Sequence, residues 1–301
     1  MTEVITEQQN ERSLNIDKAG SLEILSIINQ EDKTVAYAVE KVLPDIAKAV
    51  DVITDRMLKN GRLVYCGAGT SGRQGMLDAC ECYPTFGVDE THVIALIAGG
   101  PSAMVKAIEG AEDNIESAVQ DLMNLDFCDR DVLIATAACG NTPYVLAAAE
   151  YAKEAGAAVI ALTCAGVTKL SAIADIDISP ITGPEVVTGS TRMKCGTAQK
   201  MILNMMSTAV MIKLGKVYKN FMVDLRITNQ KLAKRAIRII TKATGVSEEE
   251  ALETLEKCNN AVKHAIVSIL CKVDVNEADR MLNDNGGNVG KVVEKVNGTL
   301  A

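Results

Sequence analysis

Short, unbroken apolar runs separated by helical periodicities dominate the middle of the chain. Residues 63–66 (LVYC), 93–98 (VIALIA), 132–137 (VLIATA) and 158–163 (AVIALT) show no polar alternation, which predicts strands buried on both faces. A weaker fifth run, ADIDI, covers 174–178. Between them, 117–125 and 143–155 repeat apolar residues at helical spacing. Strands alternating with helices imply parallel pairing through right-handed crossovers, hence a three-layer α/β domain with a five-stranded parallel sheet. In such sheets a ligand lies at the carboxyl ends of the strands.

The flanks read as helices. Residues 1–19 form an irregular arm, and 21–30 place Leu22, Leu25 and Ile28 at helical spacing. Residues 31–59 continue the pattern through Val35, Val39, Ile46, Val50 and Ile53, with Pro44 opening a new helix. After the fifth strand, a polar loop (GPEVVTGSTRMK, 183–194) feeds a helix predicted over 192–214. That helix is apolar around most of its circumference (MILNMMSTAVMIKL), so it is expected in the core or at a subunit interface. Residues 220–244 predict another helix with a basic, solvated side. From Gly245 the composition changes. Ser247 followed by Glu250 resembles a capping box, and helices are expected to about 258, over 260–270, from about 276, and after Asn285-Gly286-Gly287-Asn288 through 296. The expected division is an arm with packing helices (1–60), the α/β domain (61–243) and a small helical module (244–301).

Composition narrows the chemistry. At 301 residues and 48% hydrophobic, the chain can bury a large core. A net charge of −8 argues against nucleic acid or an anionic membrane as partner. Nine cysteines, an odd number with no Cys-x-x-Cys, fit reduced thiols in a cytosolic protein better than disulfides or zinc. The polar, acidic N-terminus predicts no signal peptide, and no uncharged apolar run predicts a transmembrane helix.

The stretch GRLVYCGAGTSGRQG (61–75) joins a strand, a glycine-rich turn and a helix. Gly67, Gly69 and Gly72 let the backbone approach a ligand, first-turn amides point at it, and Thr70 and Ser71 add hydroxyls. The same residues also suit a plain tight turn. The pattern is neither Gly-x-x-x-x-Gly-Lys-Ser/Thr nor Gly-x-Gly-x-x-Gly, so a small phosphoester fits better than ATP or NAD. Two further loops fall at the same sheet edge: Gly99-Gly100-Pro101, and 138–142, where Thr142 before Pro143 reads as an N-cap. Lys194 and Lys200, at the start of the apolar helix, read either as neighbours of an anionic ligand or as a solvated first turn.

Histidine is nearly absent, since His92 and His264 are the only two. General acid/base candidates are therefore carboxylates. Glu81 is the one acid at the apolar end of its helix (ACECYP), where desolvation is expected to raise its pKa. Glu109 and Glu112 follow the second strand and read either as site acids or as complements to a helix dipole.

GAGTSGRQG, DACECYPTFGV, LIAGGP, EGAEDN, the TPY after the third strand and GPEVVTGSTRMKCGTAQKMILNMMSTAVMIKLGKVYKNFMVDL together resemble the N-acetylmuramic acid 6-phosphate etherases. The likeness runs from Thr6, Glu7 and Asn10 to the C-terminal module. It implies a SIS-type (sugar isomerase) fold related to glucokinase regulatory protein, and a cytoplasmic homodimeric lyase that releases D-lactate and N-acetylglucosamine 6-phosphate without metal or redox cofactor. It also implies Glu81 and Glu112 as catalytic, and Gly69, Thr70, Ser71, Cys139, Asn141, Thr142, Ser190, Thr191 and Lys194 as phosphate- or substrate-binding. Two departures stand out. The usual ASG-x-TPY reads ACGNTPY, with the Cys139 thiol replacing a better donor, and DASECPP reads DACECYP. The SEEEA turn after Val246 and the late NGGNV resemble ubiquitin-associated-like folds. The alternatives are a sugar-phosphate isomerase on the same fold and a non-catalytic sugar-phosphate sensor, against which the retained Glu81 and Glu112 tell.

Overall fold

The structure, a computed structural model, describes residues 4–299. Residues 1–3 of the expected arm and 300–301 of the expected last module lie outside it. In order, the elements are α1 (Ser21–Glu40), α2 (Leu43–Leu58), β1 (Leu63–Gly67), α3 (Gly69–Phe86), β2 (Val93–Ile97), α4 (Ile115–Asn124), β3 (Val132–Thr136), α5 (Pro143–Glu154), β4 (Ala158–Leu162), α6 (Lys169–Ile173) and β5 (Ile176–Ile178). They continue as α7 (Lys194–Lys213), β6 (Val217–Tyr218), β7 (Phe221–Met222), α8 (Gln230–Thr244), α9 (Glu248–Lys257), α10 (Val262–Cys271), α11 (Val275–Asn283) and α12 (Val289–Thr299).

The five long strands form one parallel sheet in the order β2-β1-β3-β4-β5. All residues of β1, β3 and β4 are buried, whereas the edge strands β2 and β5 are only partly so. That gradient explains the unbroken apolar runs, because a central strand of a covered parallel sheet has no solvent face. Leu133, Ala135 and Val159 pack with Leu122 of α4 and with Tyr144 and Ala148 of α5 in the core.

Two compact units are present. The first holds the chain up to Ala79 and Glu90–Ser207, and the second holds Cys80–Asp89 and the chain from Thr208. The chain passes from one to the other within α3 and within α7. The second unit has its own core, with Leu225, Ile240, Leu255, Ile266, Leu282 and Val292 drawn from the segment before α8 and from α8–α12. Ser247 caps α9 by accepting the Glu250 amide, as its sequence suggests.

Two local expectations change. Residues 217–222 form a two-stranded antiparallel hairpin rather than the start of a helix, with Lys219 at φ 55° in the turn, and Asn229 caps the helix that follows. As the sequence suggested, residues 21–40 run as one helix and a new one opens with Pro44 in its first turn. Finally, α7 is not covered all round, since Thr197, Lys200, Met205, Thr208 and Ile212 form an exposed stripe. Among the described residues, no helix is long and apolar enough to cross a membrane.

Candidate functional site

In the sheet order, β2 and β3 lie on opposite sides of β1, so the connections leaving β1 and β3 diverge and leave a crevice at the carboxyl edge. Residues 68–72 and 137–142 flank it, and Gly67 is in register with Thr136. Close packing demands glycine here. A Cβ on Gly67 would lie 2.6 Å from the Gly72 amide nitrogen, and one on Gly72 would lie 2.6 Å from Ile97 Cγ1. Gly69, at φ 52°, opens α3. Of the first-turn amides of α3, that of Gly72 is bonded to the Ala68 carbonyl (3.3 Å), and those before it have no carbonyl four residues back within the helix, which leaves them as candidate donors at the crevice.

The predicted ligands are placed as follows. Gly69 and Glu112 line one cleft of about 350 Å³, together with Arg73 and Glu109. Arg73 is anchored across it by donating Nε to the Met104 carbonyl (3.2 Å). Thr70 and Thr191 converge on Gly196 of α7, where an added Cβ would lie 3.1 Å from Thr70 Cγ2 and 3.8 Å from the Thr191 carbonyl. Thr70, Ser190 and Thr191 are partly exposed. On the β3 side, Asn141 donates Nδ2 to the Cys139 carbonyl (3.1 Å), which folds the loop back on itself. Thr142 does occupy the N-cap of α5, but its side chain makes no capping hydrogen bond. At the end of β3, the buried hydroxyl of Thr136 finds no partner among the described residues.

Ser71 is buried and donates its hydroxyl to Gln199 Oε1 (3.0 Å). Gln199 was not singled out from the sequence, although a polar residue in an otherwise apolar helix was its signal. The same holds for Asp78, whose buried carboxylate accepts from Tyr65 (2.6 Å), Asn204 and Ser207 (3.0 Å) and ties α3 to β1 and α7.

Lys194 departs from expectation. Its side chain is only 2% exposed, and Nζ donates to Glu31 Oε2 at 2.6 Å. Glu31 also accepts from Asn10 Nδ2 (2.8 Å) and Arg12 Nη1 (3.0 Å), so the N-terminal arm is fastened to the start of α7. Burial pushes the Glu31 carboxyl up, but the bonds from Lys194, Asn10 and Arg12 outweigh it and hold its pKa below the ordinary value. The amides of Lys194 and Cys195 are already taken by the two oxygens of the buried Glu185 (3.0 Å each). The start of α7 is therefore capped by internal partners. Neither a solvated first turn nor this ion pair could be told from the sequence, because the buried acid that holds Lys194 lies 163 residues away.

Glu81 also departs from expectation. The buried positions of α3 include Ser71, Gly75, Asp78 and Cys82, one face at helical spacing, and Glu81 falls outside it with Leu77 and Cys80, all exposed. The apolar neighbours that predicted desolvation are spread around the helix instead of enclosing the carboxylate. Glu112 is exposed as well. Among the described residues, no group of three or more His, Cys, Asp or Glu could hold a metal ion.

Comparisons with known proteins place these features in context. A family model described as the glucokinase regulatory protein N-terminal SIS domain matches residues 45–153, and one described as the C-terminal lid domain of glucokinase regulatory protein matches residues 219–259. A protein of Clostridium beijerinckii named N-acetylmuramic acid 6-phosphate etherase is 53% identical over 291 residues, covering 97% of this chain and 96% of the relative. One of the same name from Vibrio campbellii is 51% identical, with 98% and 96% covered. Among solved structures, the phosphoheptose isomerase of Neisseria gonorrhoeae superposes with a TM-score of 0.50 at 19% identity, covering 64% of this chain and 98% of that one. At that identity the likeness shows the fold alone, an α/β SIS-like domain.

Proposed function

Since the chain belongs to the N-acetylmuramic acid 6-phosphate etherase family, we propose that it cleaves the D-lactyl ether of N-acetylmuramic acid 6-phosphate, giving N-acetylglucosamine 6-phosphate and D-lactate in the recycling of cell-wall amino sugars. The observation that carries this reading is identity above one half to etherases along nearly the whole chain. An isomerase role rests on a likeness of fold alone and has less support.

The chemistry suits the residues present. The open-chain sugar carries an aldehyde, which makes its C2 proton acidic enough for a carboxylate base. Lactate then leaves C3 as a general acid protonates the ether oxygen. Water adds to the unsaturated aldehyde at C3, and a proton returns to C2. Glu81 and Glu112 are the acid/base pair in this reading. The α3 amides with Thr70, Thr142, Ser190 and Thr191 hold the phosphate, Cys139 and Asn141 shape the loop beside it, and Ser71 supports the loop through Gln199. The isotopic course tests the scheme. Reaction in deuterated, ¹⁸O-enriched water is expected to place deuterium at C2 and heavy oxygen at C3 of the product sugar. Heavy oxygen in the lactate hydroxyl with protium kept at C2 would mean displacement at the lactate carbon instead.

The protein works as a cytoplasmic homodimer in this proposal. Early α1 buries no side chain before Glu31 and leaves Leu22 and Leu25 80% and 62% exposed, while α7 exposes Met205 and Ile212. Such apolar helix faces are costly in water and suit a second copy. A copy covering the exposed face of α3 would also supply the desolvation that Glu81 lacks in the single chain. Sedimentation at assay concentration is expected to give a dimer, and a fully active monomer would contradict the idea.

A further inference from the structure

Within the second unit, the start of α10 borders a cavity of about 470 Å³ that shares no lining residue with the cleft of Gly69 and Glu112. Its charges are unbalanced, with Lys216, Arg226 and Lys263 set against Asp224 alone. One oxygen of Asp224 serves two ammonium groups: Lys263 Nζ lies 2.5 Å from Oδ2 and Lys216 Nζ lies 3.3 Å from it. The Lys263 side chain is 9% exposed, and burial draws its pKa down against the upward pull of Asp224. Gly87 packs closely against the Asp224 backbone. A Cβ on Gly87, already at φ 63°, would come within 2.3 Å of the Asp224 carbonyl oxygen. Asp224 pairs the buried Lys263, while Lys216 is partly exposed and Arg226 exposed, so the cavity wall carries more positive charge than Asp224 balances.

The remaining lining supplies matching donors. The Arg226 guanidinium lies 5.8 Å from the centroid of the Tyr83 ring, a cation–π contact that holds it at the rim. Ala261, at the N-cap of α10, offers no side chain to the amides of Val262, Lys263 and His264, and all four residues line the cavity. Three cations against one carboxylate leave a net charge near +2, which matches the dianion of a phosphomonoester. The volume also exceeds what an inorganic ion needs and falls in the range of small-molecule sites.

We propose that this cavity binds a small phosphomonoester, with Lys216, Lys263 and Arg226 neutralising the phosphate and the first-turn amides of α10 donating to it. The test is hydrogen–deuterium exchange of the full-length protein titrated with inorganic phosphate and, separately, with glucose 6-phosphate. Protection is expected to rise and saturate in peptides spanning 259–268, with tighter binding of the ester if the cavity takes a metabolite and equal binding if it takes the free ion. A response in peptides around 67–75 belongs to the sheet crevice and does not count. Lys216→Gln and Arg226→Gln, the latter at an exposed side chain whose loss leaves the core intact, are each expected to weaken protection at 259–268 by about tenfold, the cost of one charged hydrogen bond. Weakening of that size in either variant supports the site. No protection of the segment by either compound up to about ten millimolar, a concentration that would reveal even millimolar affinity, or unchanged titrations in both variants, overturns it.

Discussion

Glu81→Gln is expected to lower the rate of D-lactate release from N-acetylmuramic acid 6-phosphate by about a hundredfold or more, with KM little changed. Gln keeps the shape of the side chain but can neither take nor return a proton at pH 7. The structure makes this a clean measurement. Glu81 is exposed on α3, off the face that carries Ser71, Asp78 and Cys82, so the substitution removes no core packing. A lost rate can then be read as lost chemistry once the melting temperature is shown to be unchanged. Near-normal kcat in this variant would remove Glu81 from the mechanism. The same assay on Glu112→Gln separates the two carboxylates, since a general acid and a general base lose rate on opposite limbs of the pH profile.

Glu31→Gln is expected to destabilise the fold by about 3–5 kcal/mol, because it leaves the Lys194 ammonium buried without a counter-charge. Equilibrium unfolding in urea measures this, and a variant within about 1 kcal/mol of wild type would sink the idea, that being the scale of an exposed pair. A second change discriminates further. Adding Lys194→Met to Glu31→Gln removes the stranded charge and should restore much of the loss, because the cost lies in the unpaired ion more than in the missing bond. The pH dependence has a definite sign. The folded-state pKa of Glu31 lies below its ordinary value of 4.5, so the carboxylate's contribution is complete above that value and declines as pH falls through the folded-state pKa. The wild type should lose this part of its stability in acid, and the Gln variant should not.

The sheet was legible because its information is local. LVYC, VLIAT and AVIAL run without polar breaks since β1, β3 and β4 are buried on both faces, and their alternation with helices leaves few topologies open. The turn at 67–72 was legible for the same reason, as Gly67 and Gly72 leave no room for a Cβ. The hairpin at 217–222 was missed because two residues per strand are too few to set a period against the helical patterns on either side. Its turn chemistry, Lys219 at positive φ, is also an uncommon choice for such a position.

What the sequence determined by itself was the fold class, the loops at the carboxyl edge and, through motifs spread along most of its length, the family. Tertiary structure alone decided what each polar group does there. Lys194 stands three residues after Thr191, yet Glu31 holds its ammonium and Glu185 its amide. Ser71 lies in the phosphate turn, yet its hydroxyl is spent on Gln199. Glu81 lies among apolar letters but points outward. In each case the deciding partner is far along the chain, or the deciding fact is which side of a helix faces solvent. Periodicity records the average burial of a face, whereas the fate of one charge depends on the partners packing brings to it.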